Sequence, residues 1–174
     1  MIVKVKKTHP DAKLPVKLNN NDDFCYDVYA TSCEELLPGV YKYGMGLKFQ
    51  IVRGKEEIGT FKEGDEFNSI NILKKATLDF ATAKNIKLSL DLRPRSSIYK
   101  TGMMLANCEG TIDELYRGEA SAIFYHLIKK LPKYEVGDRI GQLKLGLTLN
   151  IDWIEVDELD DTVRGEGGFG STGK

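Results

Sequence analysis

The sequence is poor in cysteine and histidine, the residues that most often bind zinc or, for cysteine, form disulfides. Its three cysteines, Cys25, Cys33 and Cys108, show no paired spacing, and its two histidines, His9 and His126, form no cluster with them. This pattern argues against a structural zinc site. An odd number of cysteines without pairing indicates free thiols in a reducing compartment, so we expect a cytoplasmic (intracellular) protein.

A long apolar run and a large net charge are missing as well. No stretch is long enough to cross a bilayer, and the opening Met-Ile-Val-Lys-Val-Lys-Lys is too short for a signal peptide. We therefore expect no membrane partner. The formal net charge of −1 argues against a protein that coats a nucleic acid polymer, whereas a small anionic ligand needs only a few cations.

The sequence does contain regular alternation of apolar and polar residues, which is typical of β-strands with one buried face. Apolar side chains occupy every second position over residues 41–51, 86–92 and 143–149, and residues 2–7 alternate weakly. Glycine turns separate these runs. The pattern predicts one all-β domain, a barrel or jelly roll, with the single tryptophan, Trp153, in its core.

Residues 53–85 break this alternation. They are charged at first, and in a helical conformation Ile72, Leu73, Ala76 and Phe80 would share one face. We interpret the segment as an insertion, a hairpin plus one short helix, within a domain that spans residues 1–162.

Residues 105–119 contain the best candidate for chemistry. Gly110 and Gly118 bracket a predicted tight hairpin that carries Asp113 and Tyr116. A carboxylate held rigidly suits a general base, and a tyrosine ring can pack against a sugar. The turn signals alone favour a plainer interpretation, which is a hairpin with a surface acid.

The tail, residues 163–174, has five glycines in twelve residues. Composition alone favours a disordered end. The functional alternative is an arm whose backbone N–H groups surround phosphates, with Ser171 and Thr172 adding hydroxyl donors.

The segment Gly-Thr-Ile-Asp-Glu-Leu-Tyr-Arg-Gly at 110–118 resembles the third of five motifs of the homotrimeric deoxyuridine triphosphatases (dUTPases). Segments similar to the other four motifs occur in the family's order and span nearly the whole chain. They are Asp-Val-Tyr-Ala at 27–30, Pro-Arg-Ser-Ser at 94–97, Gly-Asp-Arg-Ile-Gly-Gln at 137–142, and Arg-Gly-Glu-Gly-Gly-Phe-Gly-Ser-Thr-Gly at 164–173.

The resemblance implies a distorted jelly roll that hydrolyses dUTP to dUMP and pyrophosphate. Asp113 matches the family's general base, which activates water for attack on the α-phosphorus. Asp27 matches the acid that reaches Mg²⁺ through a water molecule, so Mg²⁺ is the expected cofactor. Arg95 and Arg164 would bind phosphate oxygens in a bidentate manner that Lys cannot reproduce.

The resemblance also assigns the recognition of the nucleotide. Backbone groups near Gly110 would read the uracil edge, Tyr116 would exclude a ribose 2′-hydroxyl, and Phe169 would cover the base when the arm closes. We expect Arg139 to form an ion pair between strands instead. The residues expected to bind substrate are Arg95, Ser96, Ser97, Asn107, Gly110, Thr111, Ile112, Tyr116, Gln142, Arg164, Phe169, Gly170, Ser171 and Thr172.

In the family, each active site draws motifs from three subunits, and the fifth motif arrives on a swapped arm. The resemblance therefore implies a homotrimer in which residues 163–174 of one chain close over a neighbour's site. The insertion at 53–85 is the largest departure from the family, and three roles stay open for it: covering the pocket, extending the trimer contact or recruiting a protein partner. Smaller departures are Tyr26 before Asp27, where a small residue is usual, Ser97 in place of a common Gly, and Thr111 in place of Val or Leu.

Three alternatives stay open at this point. A dCTP deaminase shares the fold and the Arg-Ser-Ser motif, although it lacks the tyrosine and the glycine-rich tail. A dUTP-responsive regulatory binding protein would use the insertion to contact a partner. A structural jelly-roll trimer would bind no nucleotide.

Overall fold

The computed structural model describes residues 2–19, 23–53, 86–163 and 165. Within these residues, ten β-strands and one 3₁₀ helix, Ser96–Lys100, are joined by turns and loops. None of the described residues forms a helix long and apolar enough to cross a membrane. The strands are β1 (Ile2–Lys7), β2 (Tyr26–Tyr29), β3 (Ser32–Leu37), β4 (Val40–Gly44), β5 (Leu47–Val52), β6 (Ile86–Arg93), β7 (Met103–Leu105), β8 (Gly110–Asp113), β9 (Ser121–His126) and β10 (Arg139–Leu149).

The strands form three antiparallel sheets around one apolar core. β1 pairs with β5, the second sheet has the order β2-β10-β6-β8, and the third has the order β3-β4-β9-β7. Buried residues alternate along β5, β7 and β9, as the period of two predicts. The predicted jelly-roll class is confirmed. The largest fully buried side chains are Tyr43, Phe124, Met45, Leu47, Leu92, Ile140 and Val28.

The prediction of one continuous strand over residues 41–51 is wrong in one respect. The apolar face is buried as expected, but the chain breaks at Gly46 into β4 and β5, which belong to different sheets. Gly46 has a φ of +63°, and a Cβ there would lie 2.7 Å from the Cβ of His9. A glycine is needed because the backbone turns sharply against the loop after β1.

The apolar run at 143–149 forms a strand, but its outer half is not buried. Leu143 is buried, whereas Leu145, Leu147 and Leu149 are exposed. The assignment of Trp153 to the core is also wrong, since its side chain is 87% exposed on a segment outside the sheets. The predicted helix at 72–80 lies outside the described residues.

Candidate active site

The carboxylate of Asp27 is the centre of a cluster of polar side chains from three parts of the fold. Asp27 lies in β2, and its side chain is only 5% exposed. Its Oδ1 accepts hydrogen bonds from Arg95 Nε at 3.1 Å and from Gln142 Nε2 at 3.0 Å. Its Oδ2 accepts one from Arg139 Nη1 at 3.0 Å. These contacts compensate the cost of burying a charged group.

The register of the second sheet brings this cluster together. Asp27 pairs directly with Gln142 across β2 and β10, so both side chains lie on the same face. Arg95 follows β6 and precedes the 3₁₀ helix, where its Nη1 also donates to Ser97 Oγ at 3.3 Å. Four predicted site residues, Asp27, Arg95, Ser97 and Gln142, therefore meet at one end of the sheet. Arg139 forms the ion pair we expected. Ser96 lies next to them and is exposed.

Asp113 ends the edge strand β8 and is exposed to solvent. A turn follows, in which the backbone N–H of Tyr116 donates to the carbonyl of Asp113 at 3.0 Å. Tyr116 Oη donates to the carbonyl of Glu119 at 3.2 Å. A Cβ at position 118 would collide with the Tyr116 ring, which explains why Gly118 follows so closely.

The prediction of a hairpin at 110–118 is wrong, because only residues 110–113 form a strand and that strand pairs with β6. β8 pairs with β6, through Leu92 and Gly110 at one end and Ser89 and Asp113 at the other. The preceding strand β7 belongs to the third sheet. The position of Asp113 is therefore set by the pairing of β8 with β6, which the turn residues in the sequence do not predict. In β8, Thr111 is exposed, whereas Ile112 packs against the core.

The loop before β8 has an unusual backbone conformation. Cys108 adopts a φ of +55°, and it lies between Asn107 and Glu109, which are both exposed. A Cβ at Gly110 would come within 3.5 Å of Asn107 Nδ2. Asn107 and Gly110 therefore stand side by side.

Within one chain, Asp113 and Asp27 lie far apart. They belong to the two edge strands of the same sheet, about 14 Å apart at the usual strand spacing. Asp27 pairs with Gln142, whereas Asp113 pairs with Ser89, which faces Gly146, so the offset along the strands is about 14 Å as well. The resulting separation is roughly 20 Å. One chain alone does not bring these two groups to one small ligand.

The described residues do not offer a site that binds a metal ion directly. They contain no group of three or more His, Cys, Asp or Glu side chains that could hold one. Both lone pairs of Asp27 Oδ1 are occupied, which leaves one acceptor position on Oδ2. Asp27 thus fits a hydrogen bond from a metal-bound water, with the ion held mainly by other ligands.

Five of the expected substrate-binding residues belong to the glycine-rich tail. All five lie outside the described residues, so their predicted contacts with phosphate and base stay predictions. They are Arg164, Phe169, Gly170, Ser171 and Thr172.

An ion pair between β6 and β10 of the second sheet was not predicted from the sequence. Lys144 Nζ donates to Asp91 Oδ2 at 2.6 Å, and Ser89 Oγ donates to Oδ1 at 2.7 Å. Burial raises the pKa of Asp91, but these hydrogen bonds outweigh it and hold the pKa below its ordinary value of 3.8. The alternating polar residues of β6 and β10 can be recognised in the sequence. The contact between Lys144 and Asp91 depends on the register of the two strands, which the sequence does not reveal.

Replacing Lys144 by Met should lower the free energy of unfolding by about 3 kcal/mol, because Asp91 would stay buried without its cation. Urea denaturation at pH 7 measures the loss. In the parent protein, the stabilisation by the ion pair should be complete above about pH 4. It should be lost as the pH falls through the lowered pKa of Asp91. Adding Asp91→Asn to the variant removes the stranded charge and should recover part of the loss. An unchanged urea midpoint in Lys144→Met would contradict the role of the pair.

Comparison with known proteins identifies the family. The sequence model of the dUTPase family matches residues 73–173. A deoxyuridine 5′-triphosphate nucleotidohydrolase from Helicobacter pylori strain P12 is 31% identical over 177 residues, covering 99% of this chain and 97% of the relative. The chain belongs to the dUTPase family. This confirms the resemblance drawn from the five motifs.

Solved structures show the same fold. The dUTPase of Staphylococcus bacteriophage 80alpha with dUpNHpp aligns with a TM-score of 0.65 at 19% identity, covering 99% of both chains. A mutant dUTPase from phage phi11 of S. aureus, which coordinates a structural Mg(II) ion, aligns with a TM-score of 0.59 at 15% identity. That alignment covers 92% of this chain and 100% of the phage chain.

Proposed function

We propose that this dUTPase family member hydrolyses dUTP to dUMP and pyrophosphate, with Asp113 as the general base. The family match over residues 73–173 carries this assignment. The geometry is compatible with it, because Asp113 is exposed at the end of a paired strand and a hydrogen-bonded turn follows. A carboxylate in that position can take a proton from a water molecule that attacks the α-phosphorus.

The cluster around Asp27 is the proposed triphosphate site. Arg95 uses its Nε and one Nη1 hydrogen within the described residues, so its remaining N–H groups can bind phosphate oxygens. Ser96 and Gln142 add neutral donors, and Ser97 helps to orient Arg95. Fixed positive groups stabilise the charge that develops on the phosphate in the transition state.

Mg²⁺ is the proposed cofactor, held mainly by the substrate's own phosphates. When bound, it neutralises phosphate charge and orients the leaving group. In this chain, Asp27 would accept a hydrogen bond from a water on the ion through the open position of Oδ2. The buried network of Arg95, Arg139 and Gln142 keeps the Asp27 carboxylate in place for that contact.

A homotrimer with shared sites explains the separation of roughly 20 Å between Asp113 and Asp27. In the proposed homotrimer, the Asp113 edge of one copy would lie against the Asp27 edge of another. The glycine-rich tail, residues 163–174, would then supply Arg164 and Phe169, together with donors from Gly170, Ser171 and Thr172.

Selectivity for uracil and deoxyribose is assigned to the segment from Asn107 to Tyr116. The exposed edge of β8 presents backbone groups that can pair with uracil and leave no room for the thymine methyl group. The Tyr116 ring is fixed by its hydroxyl, so it can exclude a ribose 2′-hydroxyl. Sites that pair polar groups reject mismatched analogues strongly, because their own groups are left unpaired.

Pyrophosphate release from dUTP, dTTP, dCTP and UTP tests this proposal. We expect kcat/KM for dUTP to exceed that for each other nucleotide by about 10³-fold or more. The same dCTP reactions should release no ammonia. Ammonia release from dCTP would instead support a deaminase, and binding of dUTP without hydrolysis would support a regulatory binding protein.

A further inference from the structure

Glu114, the residue directly after Asp113, is held by a two-pronged ion pair. Arg53 Nε donates to Glu114 Oε1 and Arg53 Nη2 donates to Oε2, each at 2.7 Å. The two side chains are only 28% and 17% exposed. Paired, nearly parallel hydrogen bonds between guanidinium and carboxylate fix orientation as well as distance.

This ion pair joins three strands beside Asp113. Arg53 follows β5, and its Nη2 also donates to the carbonyl of Ile86, the first residue of β6, at 2.6 Å. The backbone N–H of Leu88 in β6 lies 3.4 Å from Glu114 Oε2. Asp113 pairs with Ser89, so the next backbone pair would join Glu114 to Leu88. The Glu114 side chain takes the place of that missing pair where β8 ends.

The turn on the other side of Glu114 is held as well. Arg117 Nη1 donates to the carbonyls of Glu114 and Tyr116, at 2.7 and 2.9 Å. The end of an edge strand ordinarily frays, because it has few partners. Here the pairing of β8 with β6 holds the chain up to Asp113. The contacts of Glu114 with Arg53 and Arg117 hold the chain directly after it.

We propose that Arg53 and Glu114 form a positioning pair, which sets where the Asp113 carboxylate stands relative to the attacking water. This inference rests on the proposed role of Asp113 as the base. A misplacement of about 1 Å can cost about 100-fold in rate. Neither member of the pair has to touch the substrate for its loss to slow the reaction.

The ion pair is maintained at working pH. Hydrogen bonding from Arg53 holds the pKa of Glu114 below its ordinary value, against a smaller opposing effect of burial. The same contact raises the pKa of Arg53. Glu114 is therefore charged and paired throughout the neutral range.

The test measures kcat, KM and urea midpoint for Glu114→Gln, Arg53→Met and the double variant. Each single change should lower kcat for dUTP by about 10- to 100-fold and leave KM within about threefold, because placement and not binding is lost. The double variant should lose no more than the worse single variant, since both remove the same contact. Arg53→Lys keeps the charge but not the two-pronged contact, and it should fall between the parent and Arg53→Met.

Glu135→Gln is the matched control, because it breaks an ion pair between an exposed Glu135 and a half-buried Lys133 that lies outside the candidate site. It should leave kcat unchanged. The positioning role is overturned if Glu114→Gln and Arg53→Lys, both folded by their urea midpoints, keep kcat within twofold while Asp113→Asn is inactive. It is equally overturned if KM rises and kcat does not change. Full activity in Asp113→Asn would instead remove the proposed base itself.

Discussion

Replacing Asp113 by Asn should lower kcat for dUTP by about 10³- to 10⁴-fold and leave the affinity for the nucleotide nearly unchanged. The amide has the size of the carboxylate and preserves the turn that begins at the Asp113 carbonyl. It cannot accept a proton from water at neutral pH. Steady-state pyrophosphate release gives kcat, and calorimetric titration with the non-hydrolysable analogue dUpNHpp gives the affinity.

Asp11→Asn serves as the control for this substitution, because Asp11 is an exposed acid in the loop after β1. It should behave as the parent in both measurements. A variant Asp113→Asn with more than a tenth of the parent kcat would show that another group removes the proton. Loss of analogue binding would mean that Asp113 holds the nucleotide and not the water.

Deleting residues 163–174 should lower kcat/KM for dUTP by about 10³-fold or more. The deletion removes Arg164, the proposed phosphate ligand, and Phe169, the proposed cover of the base, so bound substrate would stay open to water. The described strands of the three sheets all lie before residue 150. The deletion leaves them intact, so the proposed homotrimer should still form. Light scattering measures the mass of the assembly, and pyrophosphate release measures the rate.

Mixing two inactive variants tests whether the arm and Asp113 come from different copies. Chains without residues 163–174 keep Asp113, and Asp113→Asn chains keep the arm. If sites are shared, refolding the two together should restore a measurable part of the parent activity, since some sites then have both parts. No restoration in assemblies shown to be mixed would mean that the arm closes over its own chain.

The sequence predicted the strands well where alternation was strong and a glycine turn bounded the run. It also indicated the buried face of β4 and β5, because that face follows from side-chain period alone. It failed at Gly46, since the break depends on packing against the loop at His9 and not on local composition. It failed at Trp153 because apolar character predicts burial only where other elements supply a partner surface.

The candidate site was predictable as a set of residues but not as an arrangement. The motifs named Asp27, Arg95 and Gln142, yet only the fold shows that Arg95 and Gln142 both donate to Asp27. Arg53 could not be predicted as a residue of the candidate site, because its partner Glu114 is 61 positions away in the chain. Contacts across that distance follow from topology, which a single sequence does not display.

The pairing of Asp27 with two guanidinium groups has a consequence for how a triphosphate enters. The resting cluster holds two cations and one anion, so it carries one surplus positive charge on a chain whose formal net charge is −1. An incoming polyanion can bind the N–H groups of Arg95 that the described contacts leave open, so the guanidinium gains a second acceptor while Asp27 stays held. Rising ionic strength should slow nucleotide binding, because it screens the attraction between the nucleotide and this positively charged cluster.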